Sequence, residues 1–131
     1  MKAIYKLEKT PQEYKALPEE TVFSVTNNSG NFLMFSQKPL SRYFGWFIAD
    51  NNWEVFKVIE NILPANTINT SIIKNEYGSV VRETTNLKEH FIIPNQYNSL
   101  IYRLDKESEV ELLLDIKRAY GNPEFGRLYT F

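Results

Sequence analysis

Apolar and polar positions alternate with a period of two along most of this chain, in short runs broken by Asn, Gly and Pro. Lys2 to Leu7 sets Ala3, Tyr5 and Leu7 on one side, the pattern of a half-buried strand. Thr10-Pro11-Gln12-Glu13 offers an N-cap hydroxyl, a proline at the first helical position and a Glu that can close a capping box. The spacing predicts a short helix over residues 11 to 16, stopped by Leu17-Pro18.

Val22 to Thr26, Asn31 to Ser36 and Tyr43 to Ala49 are rich in β-branched and aromatic residues. Asn27-Asn28-Ser29-Gly30 and Gln37-Lys38-Pro39-Leu40 separate them with turn chemistry, so a β-meander is expected. Trp53 to Leu63 fits two periods: Val55, Ile59 and Ile62 make a helical stripe, while Trp53-Val55 and Phe56-Val58 spacings suit a strand, which is favoured. Tyr77 to Thr84, His90 to Ile93 and Leu100 to Leu104 read as strands. In Glu109 to Lys117, Val110, Leu112, Leu114 and Ile116 share a face expected to be core, and Glu109, Glu111, Asp115 and Lys117 share a wet one.

The 131 residues make one domain, 1–131, large enough for its own core. Nine Phe, eight Tyr and two Trp beside thirteen Asn and five Gly reinforce a mainly β fold. Fifteen Lys and Arg against sixteen Asp and Glu leave a net charge of -1, without the basic footprint of a nucleic-acid binder. No cysteine is present, no apolar run approaches the roughly 20 residues of a membrane helix, and the start lacks a secretion signal. A cytoplasmic protein with no membrane partner is expected.

Catalytic signatures are sparse. The single histidine, His90, has no second histidine or cysteine to form a metal site or a nucleophile-base pair, and it is read as a strand residue at a sheet edge. No phosphate loop, dinucleotide fingerprint or Gly-x-Ser-x-Gly is present, so neither cofactor nor metal is expected. Glu109 and Glu111 lie about 7 Å apart if on a strand, a spacing that acid-base chemistry on a glycoside could use, but their face looks simply solvated.

Arginine recurs beside tyrosine in Arg42-Tyr43, Arg118-Ala119-Tyr120 and Arg127-Leu128-Tyr129. By alternation Arg118 points to the core side and needs a carboxylate, with Asp115 or Glu124 nearest in sequence; Arg127 is a further ion-pair candidate. Such groups pin a sheet end, or they form a sugar platform in which rings stack and Arg bonds hydroxyls. In Tyr43 to Ile48 large aromatics fall on both sides, so both faces are covered, and Gly45 marks a bulge or a close backbone approach.

Two stretches carry a resemblance. Thr26-Asn27-Asn28-Ser29-Gly30-Asn31-Phe32 followed by Ser41-Arg42-Tyr43-Phe44-Gly45-Trp46-Phe47 resembles the opening of the N-terminal domain of glycogen debranching enzymes of the amylo-α-1,6-glucosidase type. Thr26, Asn27, Gly30, Phe32, Arg42, Tyr43 and Gly45 match; Asn28 and Asn31 stand where glycine is usual, and Phe44 where histidine is. Tyr97 to Tyr102, Leu114 to Tyr120 and Glu124 to Tyr129 look like the later strands of such a domain, so the likeness spans residues 20 to 131. It implies an antiparallel, supersandwich-like β-sandwich that forms the N-terminal part of a longer glycoside hydrolase. Such a domain packs on a helical catalytic barrel, lacks catalytic residues of its own, and lends Arg42, Tyr43 or Trp46 to the rim of an α-glucan cleft. The apolar ending Gly126 to Phe131 fits a chain cut from something longer, or a tightly docked last strand. The rival expectation is a free-standing carbohydrate-binding module that stacks an oligosaccharide on Trp46, Trp53 and Tyr43.

Overall fold

The computed structural model describes residues 12–16, 22–35, 42–65, 71–76 and 78–119. The expected strand at Lys2 to Leu7, the ending at Gly126 to Phe131, and Glu124 and Arg127 lie outside them. The described residues form ten strands: β1 (Gln12–Ala16), β2 (Phe23–Thr26), β3 (Phe32–Phe35), β4 (Gly45–Ala49), β5 (Val55–Pro64), β6 (Ser71–Glu76), β7 (Ser79–Glu83), β8 (Lys88–Ile92), β9 (Ile101–Leu104) and β10 (Val110–Arg118). All pairs are antiparallel. One sheet runs β1-β6-β7-β8-β9 and the other β10-β5-β4-β3-β2.

The mainly β expectation holds, but the short N-terminal helix does not. Gln12–Ala16 is a strand that pairs with β6 from Gln12 opposite Asn75 to Ala16 opposite Ser71. A helix this short pays the full nucleation cost for few hydrogen bonds, whereas a ready strand supplies partners for each backbone group. β5 settles the two-period segment as a strand. β6 is a strand that alternation did not predict, and His90 lies on β8 between β7 and β9 rather than at a sheet edge.

One core joins the sheets. Phe23, Val25, Leu33, Phe35 and Ile62 from the second sheet meet Ile73, Val80, Phe91 and Ile93 from the first sheet and the loop after it. In β2 the alternation is clean, with Phe23 and Val25 buried and Ser24 and Thr26 exposed. Phe23, Phe35 and Phe91 pack ring against ring, with Phe23 and Phe91 centroids 5.0 Å apart. Behind β3 and β4, on the opposite face, Phe32 stacks on Phe47 at 4.5 Å, and Phe47 is buried. β4 is thus apolar on both sides, as its sequence required.

The core also holds an arginine, Arg82 on β7. Its guanidinium makes a two-pronged pair with Glu89 directly across on β8, Nη2 to Oε1 at 2.6 Å, and lies 5.5 Å from the Phe91 ring centre and 5.9 Å from that of Phe23. The arginine expected on the core side, Arg118, is instead half exposed and pairs with Glu54, while Glu124 lies outside the described residues; the buried arginine is Arg82. Among the described residues β10 is the last strand of its sheet, and Arg118 reaches solvent from it. Asp115 pairs with Lys117 at 2.5 Å and with the buried Lys57 at 3.6 Å, which also pairs with Glu60.

Of the expected core face of β10, Val110 packs against the core, but the residues after it do not. Leu112, Leu113, Leu114 and Ile116 are all exposed, Leu112 by 53%. The two-residue period assigns Leu112 to the side of its neighbour Ile62, which is buried, but Leu112 itself is exposed on what is, among the described residues, the last strand of the sheet.

On the first sheet Glu83 forms ion pairs with Lys88 at 2.9 Å and Lys74 at 3.0 Å. These two ammonium groups, Lys88 first, hold its carboxyl below the usual carboxylate range. A lowered folded-state pKa gives stability that is present above the unfolded value and lost as pH falls through the folded one. Acid unfolding followed by circular dichroism is therefore expected to show a flatter low-pH limb in Glu83→Gln than in the parent; parallel limbs would refute the assignment.

Candidate functional site

At one end of the two sheets, three connections converge: the β2–β3 turn, the β4–β5 turn and the loop between β8 and β9. Asn and Asp build the first two by accepting backbone N–H bonds with their own side chains. Asn27 Oδ1 accepts from Ser29 N and Asn31 N, both at 3.0 Å, and Gly30 takes the positive φ of 82° that closes the turn. Asp50 Oδ1 accepts from Asn52 N and Glu54 N, both at 2.8 Å.

The first turn clamps the third. Asn27 Nδ2 donates to the carbonyls of Pro94 at 2.8 Å and Tyr97 at 3.2 Å, and Asn28 and Asn95 tie the loop further. Asn31 is completely buried: its Nδ2 donates to Tyr97 O at 3.0 Å and Asn98 Oδ1 at 2.9 Å, while its Oδ1 accepts from Ala49 N at 2.8 Å. One amide thus joins all three connections. The Asn27 to Asn31 motif that carries the family resemblance here serves this clamp, and Asn31 needs the side chain that a glycine would lack.

The clamped loops frame a groove of about 510 Å³ lined by Asn28, Ser29, Ala49, Asp50, Asn51, Trp53, Gln96, Tyr97 and Asn98. Trp53 is 76% exposed and Tyr97 65% exposed. A Cβ on Gly30 would stand 3.3 Å from Trp53 Cζ3, so the indole is seated against the bare backbone of that glycine. Trp53 holds φ at 61° and Gln96 at 68°, and among the described residues these are the non-glycine positions with positive φ. For a large side chain that backbone state is disfavoured; Asp50 pins it at Trp53 through Trp53 N to Asp50 O at 3.1 Å and its own carboxylate bonds. Both strained residues line one groove, where strain most often accompanies function.

The groove's chemistry is polar and mixed. Its lining carries one carboxylate, Asp50, and no lysine or arginine. The amide N–H groups of Asn28 and Asn98 have no partner among the described residues, although both side-chain oxygens are occupied. Donors, an acceptor and two bare rings in one hollow suit a ligand with many hydroxyls and flat apolar faces.

Of the four sugar-contact candidates, the structure brings Trp53 alone into the groove. Trp46 is half-buried against the core, and its indole N–H has no partner among the described residues. Arg42 is exposed and donates to its neighbour's hydroxyl, Nη2 to Tyr43 Oη at 2.8 Å, with the guanidinium 4.9 Å from the Tyr43 ring centre. Neither lines the groove. Sequence reasoning missed Tyr97, Asp50, Asn28 and Gln96. Their signal was present: an aromatic inside a polar loop, Asn95-Gln96-Tyr97-Asn98, has no core to serve.

Glu109 and Glu111 are exposed beside a hollow of about 360 Å³ walled by Leu63, Pro64, Ala65 and Val110, with no third polar side chain to orient a substrate. No known protein family, curated protein or solved structure matches the chain.

Proposed function

We propose that this is a noncatalytic β-sandwich domain that binds an α-glucan or related oligosaccharide in the Trp53–Tyr97 groove. The observation that carries the reading is a pair of exposed rings, Trp53 at a strained backbone and Tyr97 next to one, held on side-chain-clamped turns above a lining of amides and one carboxylate. A pyranose ring lays its C–H face on the indole, excluding water from both, while Asp50, Asn28 and Asn98 meet its hydroxyls. The clamp pre-organises the lining, so little ordering cost falls on binding. The likeness of residues 20 to 131 to debranching-enzyme domains supports glucose polymers as the ligand class. Arg42, Tyr43 and Trp46 are no part of this reading, which follows the free-standing module with Tyr97 in place of Tyr43 and Trp46.

The protein has two tryptophans, one in the groove and one half-buried, which makes fluorescence a selective probe. Titration with maltooligosaccharides is expected to quench emission, and Trp53→Ala is expected to abolish the quench and weaken binding at least about tenfold by calorimetry. No quench at millimolar sugar, or full quench in the variant, would defeat the proposal.

A further inference from the structure

We infer that the groove sorts saccharides by charge, with Asp50 as the residue that sets the order: sugars bearing a free amine bind above neutral ones, and acidic sugars below both. This order rests on the sugar reading of the groove and narrows the ligand chemistry within it. Asp50 is the one carboxylate among the described lining residues, and none of them is a lysine or arginine. Its Oδ1 accepts from Asn52 N and Glu54 N, both at 2.8 Å, while its Oδ2 accepts no bond among the described residues. Two backbone donors thus hold the carboxylate in place and leave one oxygen for a ligand. Glu54, whose N–H makes one of those bonds, has its own carboxylate paired with Arg118, so that pair adds no net charge beside Asp50.

A held anion in a hollow with two exposed rings favours a cation. A protonated amine that replaces a sugar hydroxyl donates to Asp50 Oδ2 in a charge-assisted bond, stronger than the neutral bond a hydroxyl makes. The ammonium is attracted as well to the face of an aromatic ring, and Trp53 and Tyr97 line the same hollow. An acidic sugar meets the opposite field: its carboxylate faces the Asp50 charge, and no cationic side chain among the described lining residues offsets it. Neutral glucans fall between, held by stacking and hydroxyl bonds alone. The groove is open to water, so each step in charge is expected to change affinity about fivefold, the upper scale of an exposed ion pair.

Three α-1,4-linked hexasaccharides of one backbone test this on the full chain: maltohexaose, its derivative with an amine at every C6, and its derivative with a carboxylate at every C6. Tryptophan emission and calorimetry read their binding at about pH 6, where the amines are protonated and the carboxylates ionised. The amine form is expected to bind about fivefold tighter than maltohexaose, and the acidic form about fivefold weaker. Asp50→Asn keeps the Oδ1 acceptor for the N–H groups of Asn52 and Glu54 but removes the charge, so it is expected to narrow the spread to less than about twofold. Raising salt from about 20 mM to 0.5 M is expected to narrow it in the parent without any substitution. Equal binding of the three sugars, or a spread that survives high salt, would overturn the charge order while leaving the groove a sugar site. A salt-sensitive spread that persists in Asp50→Asn would overturn it too, by placing the selecting charge elsewhere. Silence from all three sugars would defeat the sugar reading, and the charge order with it.

Discussion

Replacing Glu89 by alanine is expected to remove about 3–5 kcal/mol of folding stability, because it strands a guanidinium inside the core. Glu89 has no exposed surface, and Arg82 retains 8%. Both carboxylate oxygens are engaged: Oε2 takes Arg82 Nε, and Oε1 takes Arg82 Nη2 together with the Tyr102 hydroxyl at 2.8 Å. With the carboxylate gone, the arginine keeps the rings of Phe23 and Phe91, which stabilise a cation far less than an opposing charge does. Against a total of about 5–15 kcal/mol for a typical domain, such a loss shifts the urea midpoint decisively.

Tyr102→Phe should cost only about 1–2 kcal/mol, since the ion pair survives it. Removing both charges, as Arg82→Met with Glu89→Leu, should recover most of the loss, since the penalty comes from an unpaired ion rather than from missing attraction. A Glu89→Ala loss under about 1 kcal/mol would mean that water reaches the guanidinium. Burial first, and then the neighbouring Glu89 carboxylate, push the Tyr102 phenol well above its usual value. A raised folded-state pKa gives stability that is complete below the unfolded phenol value near 10 and lost as pH climbs above it. The Tyr102→Phe variant should show less of that alkaline loss.

How far the residues alone foretold this molecule depended on whether local pattern or distant pairing decided each element. β2, β3, β4 and β7 to β10 were legible because alternation and Asn-rich turns bracket them, and Gly45 was legible as a close approach. β6 escaped because Ile72 and Ile73 are adjacent and Asn75 reads as turn chemistry. β1 was misread because a capping pattern is local, whereas the ladder to β6 spans some sixty residues of chain. In β10 the period revealed which side chains share a face but not whether a second layer lies over them. The groove was legible only at Trp53. Asn27 reads as a turn former, and nothing in its surroundings announces that its amide reaches Pro94 and Tyr97, 67 and 70 positions away.

Gly45→Ala should be the most damaging alanine substitution among the described glycines, costing about 3 kcal/mol or more by combining backbone strain with overpacking. Gly45 has φ of 125°, where L-residues rarely go. A Cβ there would lie 2.2 Å from the carbonyl oxygen of Ile59 and 2.8 Å from Lys57 Cε. The first neighbour is backbone of the paired strand β5, so relief requires β4 and β5 to separate. The bulge between Trp46 and Phe47 already exists to bring them this close. The second is the stem of a lysine with 2% exposure, held by Glu60 and Asp115 with its ammonium 5.7 Å from the Phe47 ring centre. Moving it would loosen the Phe32–Phe47 stack as well. Gly78→Ala is the matched control: φ is 79°, with nothing within 4 Å of the added carbon, so conformational strain of about 1 kcal/mol acts alone. Urea unfolding of the two variants should therefore separate by about 2 kcal/mol, the overpacking share; equal losses would show that β4 can retreat from Ile59 without disturbing the sheet.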